Sequence, residues 1–326
     1  SVEVATSKVQ AITPTKQAVY DFYLAGNSLA LAITCPSNIG DIFYTTIGEN
    51  KTQRLTSVNE EYLSSVSVSL PEHMEFTASN GVKVEGWILK PYGFEQGKRY
   101  PLVLEIHGGP HVAYGYSFMH EFQVLASLGY CVLYTNPQGS QGYGQVFNAA
   151  TRHDWGGQDY RDLMGAVDYA VGLDYVDAAA LGVTGGSYGG YMTNWMLGHT
   201  DRFKAAVTLR STSSRYSMFG TSDVGFFNGQ FEFDGNPWDN PQHYLERSPI
   251  TYVNNVTTPV MIIHSEQDHR CPVEQGEQFY TALKWLGKEA VFVRFPDENH
   301  ELSRSGQPRQ IGRASCRERV YISVVA

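Results

Sequence analysis

Cysteine is scarce. The 326-residue chain has only four, Cys35, Cys131, Cys271 and Cys316, spaced far apart and with no CxxC pair. That spacing argues against a structural zinc site or a disulfide framework and fits a reducing, cytoplasmic compartment. Charge is also thin, at 17% of residues, and the 24 Lys and Arg are outnumbered by 33 Asp and Glu for a net charge of −9. No Lys/Arg stripe forms, which excludes nucleic acid and an anionic membrane surface as expected partners. No apolar run reaches membrane-spanning length. The first residues, SVEVATSKVQ, lack both a basic segment leading into an apolar one and a starting Met. No signal peptide is therefore expected, and the chain reads as a fragment. What remains is a globular composition, 42% apolar and 13% aromatic, which excludes disordered, collagenous and coiled-coil classes.

The patterning changes at about residue 58. Before it, four short alternating runs, 19–24, 29–34, 41–46 and 51–55, are separated by turn residues such as Gly26-Asn27 and Gly48-Glu49-Asn50. They predict one antiparallel sheet, either a blade of a larger repeat array or an N-terminal β-extension of the main domain. From about residue 70, short apolar runs alternate with helical periods. The runs 101–106, 131–135, 181–184, 205–209, 259–264 and 290–295 read as strands buried on both faces, and 118–128, 159–172, 188–197 and 273–286 read as helices. This alternation predicts an α/β fold with a doubly wound, mostly parallel sheet. Ligands in such sheets bind beyond the carboxyl ends of the strands. Residues 58–310 are thus expected to form one catalytic domain. The Arg-rich stretch 311–326 has no amphipathic period and is expected to be a non-native tail.

One segment breaks the alternation. Residues 211–258 show few helix signals and carry Phe219, Phe226, Phe227, Phe231 and Trp238. A long insertion of this kind reads as a lid or binding loop, or as a small satellite core. Its aromatics suit a pocket for an apolar acyl-side group. Arg215, at its start, either adds charge to the rim of that pocket or points to solvent.

The chemistry is concentrated in three loops. Leu181-Gly-Val-Thr-Gly-Gly-Ser187-Tyr-Gly-Gly reads as strand, Gly-x-Ser-x-Gly and helix. This is a nucleophile elbow, with Ser187 as nucleophile. A serine hydroxyl needs a base, and in this arrangement an acid and then a histidine follow along the chain. Asp268 follows the strand 259–264, and His300 follows the strand 290–295. Asp268 would orient His300, which would move the proton. Glu266 and Asp297 compete as the acid, and His264 and His269 as the base; His264 reads as a packed core histidine. The run His107-Gly108-Gly109-Pro110 after strand 101–106 suits an oxyanion loop, with the N–H groups of Gly109 and Tyr188 as donors.

Together these stretches resemble the prolyl oligopeptidase family of serine peptidases, in its acylaminoacyl-peptidase-like branch. The matching runs are Gly86-Trp-Ile-Leu-Lys-Pro, His107-Gly-Gly-Pro, Asn136-Pro-Gln-Gly-Ser-Gln-Gly-Tyr-Gly, Asp154-Trp-Gly-Gly-Gln-Asp, Gly185-Gly-Ser-Tyr-Gly-Gly-Tyr-Met-Thr, His264-Ser-Glu-Gln-Asp-His-Arg-Cys-Pro and Glu298-Asn-His-Glu-Leu-Ser-Arg-Ser-Gly. The resemblance spans residues 60–310. It implies an α/β-hydrolase fold, no cofactor and no metal. It also implies Ser187, Asp268 and His300 as the triad, with Gly109 and Tyr188 as the oxyanion donors. Arg270 lies where such enzymes keep an arginine near the substrate, although a structural ion pair would also account for it. The chain departs from the family at Gln138, where many members have Arg, and at Ser214-Arg215, where many have Asn and an aromatic. It also has room for only one blade of the family's propeller. The expected activity is hydrolysis of N-acylated or short peptides through an acyl-enzyme. A carboxylesterase acting on apolar acyl esters is the alternative, and a non-enzymatic binding module is a third reading. The sequence leaves a homo-oligomer open.

Overall fold

The continuous apolar runs do become strands of one sheet. The computed structural model describes residues 1–13, 16–49 and 51–301, so the expected tail at 311–326 lies outside the described residues. The sheet has eight strands: β7 (Pro71–Thr77), β8 (Lys83–Leu89), β9 (Tyr100–Ile106), β10 (Cys131–Asn136), β11 (Val176–Gly186), β12 (Ala205–Leu209), β13 (Val260–Ser265) and β14 (Ala290–Phe295). Their order is β14-β13-β12-β11-β9-β10-β8-β7. Strands β9 to β14 pair in parallel, while β8 pairs antiparallel with both β10 and β7. The strand order reverses at β9, so the loops after β9 and β11 open side by side at one end of the sheet. This is the α/β-hydrolase arrangement, and the crevice at such a reversal is where ligands bind.

Side-chain alternation assigns the two faces. On β9, Leu102, Leu104 and Ile106 enter one core, with Leu163 and Val167 of α4 (Gln158–Val171), Met192 of α5 (Tyr188–His199) and Phe279 of α9 (Glu274–Trp285). Val103 enters the other core, with Phe122 and Leu125 of α2 (His120–Ser127). Helix α5 is buried from Tyr188 to Gly198, so its sequence is apolar or small all round rather than amphipathic.

Residues 211–258 correct the sequence expectation. They contain α6 (Arg215–Thr221), α7 (Gly225–Glu232), α8 (Pro241–Glu246) and a 3₁₀ stretch, Pro249–Asn255. Each helix is short, and its order comes from packing: Met218, Phe233 and Tyr244 are buried.

Ahead of the main sheet lie a small hairpin, β1 (Val2–Glu3) with β2 (Lys8–Val9), and a four-stranded antiparallel meander. The meander runs β3 (Ala18–Ala25), β4 (Ser28–Cys35), β5 (Asn38–Thr46) and β6 (Gln53–Arg54). Leu29, Leu31 and Ile33 form its small core, with Ile12 and Phe43 against them. Asp41 locks its end. Burial would raise this carboxyl's pKa, but hydrogen bonds from Thr56, Asn38, the Val58 N–H and Arg54 outweigh it and hold the pKa at about 2. A short helix, α1 (Glu60–Ser65), leads into the main sheet, and α3 (Gln145–Asn148) follows β10. No helix among the described residues is long and apolar enough to cross a membrane.

Candidate active site

Ser187 sits between β11 and α5 at φ +61° and ψ −119°, a region that L-residues seldom enter. The backbone is forced there by close packing. A Cβ on Gly189 would lie 2.0 Å from the Ile106 carbonyl oxygen, and one on Gly185 would lie 2.7 Å from the same atom. Only glycines let the strand turn this tightly into the helix. Replacing Gly189 with Ala is therefore expected to cost about 3 kcal/mol or more of stability, read from a denaturant midpoint, because the clash is with backbone that cannot rotate away.

The loop after β13 carries Asp268, which is fully buried. Its Oδ1 accepts from the backbone N–H groups of Arg270 and Cys271, each at 2.9 Å. Its Oδ2 faces His300 Nδ1 at 2.7 Å and His264 Nε2 at 3.4 Å. Burial alone would raise the carboxyl's pKa, but the bonds from His264 and His300 hold it down to about 2. His300 therefore has a fixed anion behind Nδ1, which orients Nε2 away from it. Arg210, at the end of β12, donates from Nη1 to the His300 carbonyl oxygen at 3.1 Å and braces that loop.

The competing residues separate clearly. His264 is buried and donates from Nε2 to the Cys271 carbonyl oxygen at 2.7 Å, as expected of a core histidine. Glu266 pairs with Arg294 at 2.9 Å.

The Gly109 loop reaches the elbow. A Cβ on Gly108 would come within 3.3 Å of the Gly186 carbonyl oxygen and 3.5 Å of Ser187 Cβ. Gly109 has φ +114°. His107 is buried, with Nδ1 at 2.7 Å from the Gly108 carbonyl oxygen and Nε2 at 2.9 Å from the Ser140 hydroxyl. Burial lowers its pKa to about 4, which keeps the ring neutral. Tyr188 is the first residue of α5, so its N–H has no acceptor within the helix. Its phenol donates to buried Asp159 at 2.5 Å.

The residues expected to bind substrate divide into groups. Arg270 forms a two-point ion pair with Asp223, with Nε 2.8 Å from Oδ1, which ties the insertion to the Asp268 loop. Phe219 is half-buried and meets Trp238 edge-on at 5.3 Å. Phe226, Phe227 and Trp238 are 68%, 50% and 70% exposed and lie largely in solvent. Arg215 corrects the expectation of a rim or solvent position: it is 3% exposed, with its guanidinium over the rings of Trp155 at 4.4 Å and Phe233 at 4.0 Å. Sequence reasoning missed Cys271, whose buried thiol faces the Ser187 hydroxyl. It also missed Trp155, whose Nε1 donates to Glu232 at 3.0 Å. Gln138 bonds to Asp162 through its N–H at 2.9 Å and its Nε2 at 3.0 Å. Among the described residues, no group of three or more His, Cys, Asp or Glu side chains is placed to hold a metal.

A parallel sheet, a strained Gly-x-Ser-x-Gly elbow and an Asp–His pair at neighbouring strand ends define a serine hydrolase of the α/β-hydrolase class. The prolyl oligopeptidase family profile matches residues 116–319, and the chain belongs to that family of serine peptidases. It is 48% identical over 280 residues to a Bacillus subtilis protein named uncharacterized peptidase YuxL, covering 86% of this chain and 42% of that one. It is 32% identical over 300 residues to dipeptidyl-peptidase 5 of Schizosaccharomyces pombe, covering 89% and 43%. Among solved structures, Pyrococcus horikoshii acylaminoacyl peptidase superposes with a TM-score of 0.90 at 32% identity, over 95% of this chain and 50% of that one. The chain thus spans half or less of the length of these relatives.

Proposed function

We propose that the chain hydrolyses acyl–amide bonds in N-acylated or otherwise short peptides through an acyl-enzyme on Ser187. The observation that carries this reading is the 2.7 Å Asp268–His300 pair, held by the loops after β13 and β14 of the sheet whose β11 leads into Ser187. With Nδ1 engaged, His300 takes the hydroxyl proton on Nε2 as Ser187 Oγ attacks the carbonyl carbon. The carbonyl oxygen becomes an oxyanion, met by the N–H groups of Gly109 and Tyr188. His300 then returns the proton to the departing amine. Water attacks the acyl ester by the same route, restoring Ser187. Cys271 stays a thiol throughout, because burial pushes its pKa up to about 11.

Residues 1–57 are read as a propeller-blade-like β segment or an N-terminal β-extension, and residues 58–310 as the catalytic domain. The four-stranded meander and the greater length of the relatives support that division. The three described cysteines are free, in keeping with a reducing cytoplasmic setting.

Turnover of an N-acyl-amino-acid anilide and of a p-nitrophenyl acyl ester, measured side by side, tests the reading. Efficient anilide hydrolysis with fluorophosphonate labelling at Ser187 and no response to EDTA is expected. Turnover of the ester alone would make the chain a carboxylesterase. Absence of labelling would leave a binding module.

A further inference from the structure

Arg215 is a buried cation that makes no ion pair within 4.0 Å among the described residues. Its side chain lies between Trp155 and Phe233, whose ring faces meet the guanidinium. Of its five N–H donors, those on Nη1 reach, among the described residues, the Met218 thioether sulfur, a weak acceptor, at 3.3 Å. Nε has no hydrogen-bond partner among the described residues. The carboxylate that faces it, Glu232, already accepts from His111 Nε2 on Oε1 and from Trp155 Nε1 on Oε2, both at 3.0 Å, and makes no ion pair with it. The other polar groups facing it are Tyr191, Tyr244 and Cys271. Burial lowers the guanidinium's pKa to about 10, so it remains ionised at neutral pH. A desolvated charge with unused donors is a costly arrangement for a structural role.

The guanidinium is also linked to the nucleophile by short contacts. Cys271 Sγ faces the Ser187 hydroxyl. Cys271 Sγ lies 3.5 Å from Thr212 Oγ1, and that hydroxyl lies 3.2 Å from Met218 Sδ, the atom that Arg215 Nη1 touches. These contacts connect Ser187 to Arg215 in one contiguous series of side chains. We infer that Arg215 determines specificity by taking the side-chain carboxylate of an aspartyl or glutamyl residue whose own carbonyl is attacked by Ser187. The inference rests on the proposed role of Ser187 and replaces the apolar preference expected from the sequence. An apolar group entering here would cover the cation without neutralising it. A carboxylate would supply charge-assisted hydrogen bonds to donors that are already desolvated and held in place by two rings.

Matched N-acyl-glutamyl, -glutaminyl and -leucyl anilides test it by kcat/KM. The wild-type chain is expected to favour Glu over Gln by roughly tenfold or more, the range for a charge-assisted hydrogen bond in a dry site. Arg215→Met should abolish that preference, with Ser187 still labelled by a fluorophosphonate. Glu hydrolysed no better than Gln and Leu by a labelled wild-type enzyme would overturn the role of Arg215 and leave the nucleophile intact. Failure of the wild type to label, or to hydrolyse any of the three, would overturn both. Should Arg215→Met not fold, competitive inhibition of the wild type by N-acyl-aspartyl and N-acyl-asparaginyl aldehydes decides. Tighter binding of the aspartyl compound supports the inference, and equal binding refutes it.

Discussion

Ser187→Ala is expected to lower kcat by roughly 10⁴-fold or more on every substrate, with the melting temperature unchanged. The two halves of that expectation have separate causes. The elbow is built by backbone packing around Gly185 and Gly189, and Ala has the same Cβ at the same positive φ as Ser. The substitution removes one hydroxyl, the group proposed to form the acyl-enzyme. His300→Ala should cost as much, and the double variant little more than either single one, because the residues act as a unit. Steady-state kinetics beside a thermal melt separate the two halves. A Ser187→Ala protein with near-wild-type turnover would refute the assignment.

Asp268→Asn is expected to come second, lowering kcat by up to ~10⁴-fold while the loop keeps its shape. An amide at this position can present its N–H₂ to His300 Nδ1, which reverses the tautomer and puts the proton on the nitrogen that must accept one. The pH dependence follows from the same carboxylate. Its pKa in the folded chain is about 2, below the ordinary 3.8, because the bonds from His264 and His300 outweigh burial. A depressed carboxylate contributes stability that is complete above the ordinary value and is lost as pH falls towards about 2. The rate profile should therefore show no step from Asp268 above about pH 4. The acid limb of the stability curve should flatten in the Asn variant. Rate profiles and acid melts of the two proteins would show both effects; a rate set by an ionisation below about pH 5 would point to a carboxylate base instead.

The sheet was legible because buried parallel strands are short and continuously apolar. β12 and β14 fall at the expected residues, and the Ser187, Asp268 and His300 loops fall at strand ends. The helices of the insertion were not, because six to eight residues carry too little periodicity to stand out. Two local signals were nevertheless present. Ser214 accepts from the Ser217 N–H at the start of α6, and Asn240 caps α8 with Pro241 in the first turn. The burial of Arg215 had no such signal. Its two flanking rings come from a loop before α4 and from the end of α7, and nothing in the local sequence brings them together.

The Arg270–Asp223 pair has a consequence for ionic strength. Both side chains are about half exposed, so dissolved ions reach and screen their attraction. The Asp268–His300 pair, with its carboxylate fully buried, is shielded from them. Added salt is thus expected to loosen the tie between the insertion and the Asp268 loop while leaving the Asp268–His300 pair, two residues away, intact. If the proposed roles hold, salt titration varies recognition independently of chemistry in an unaltered protein.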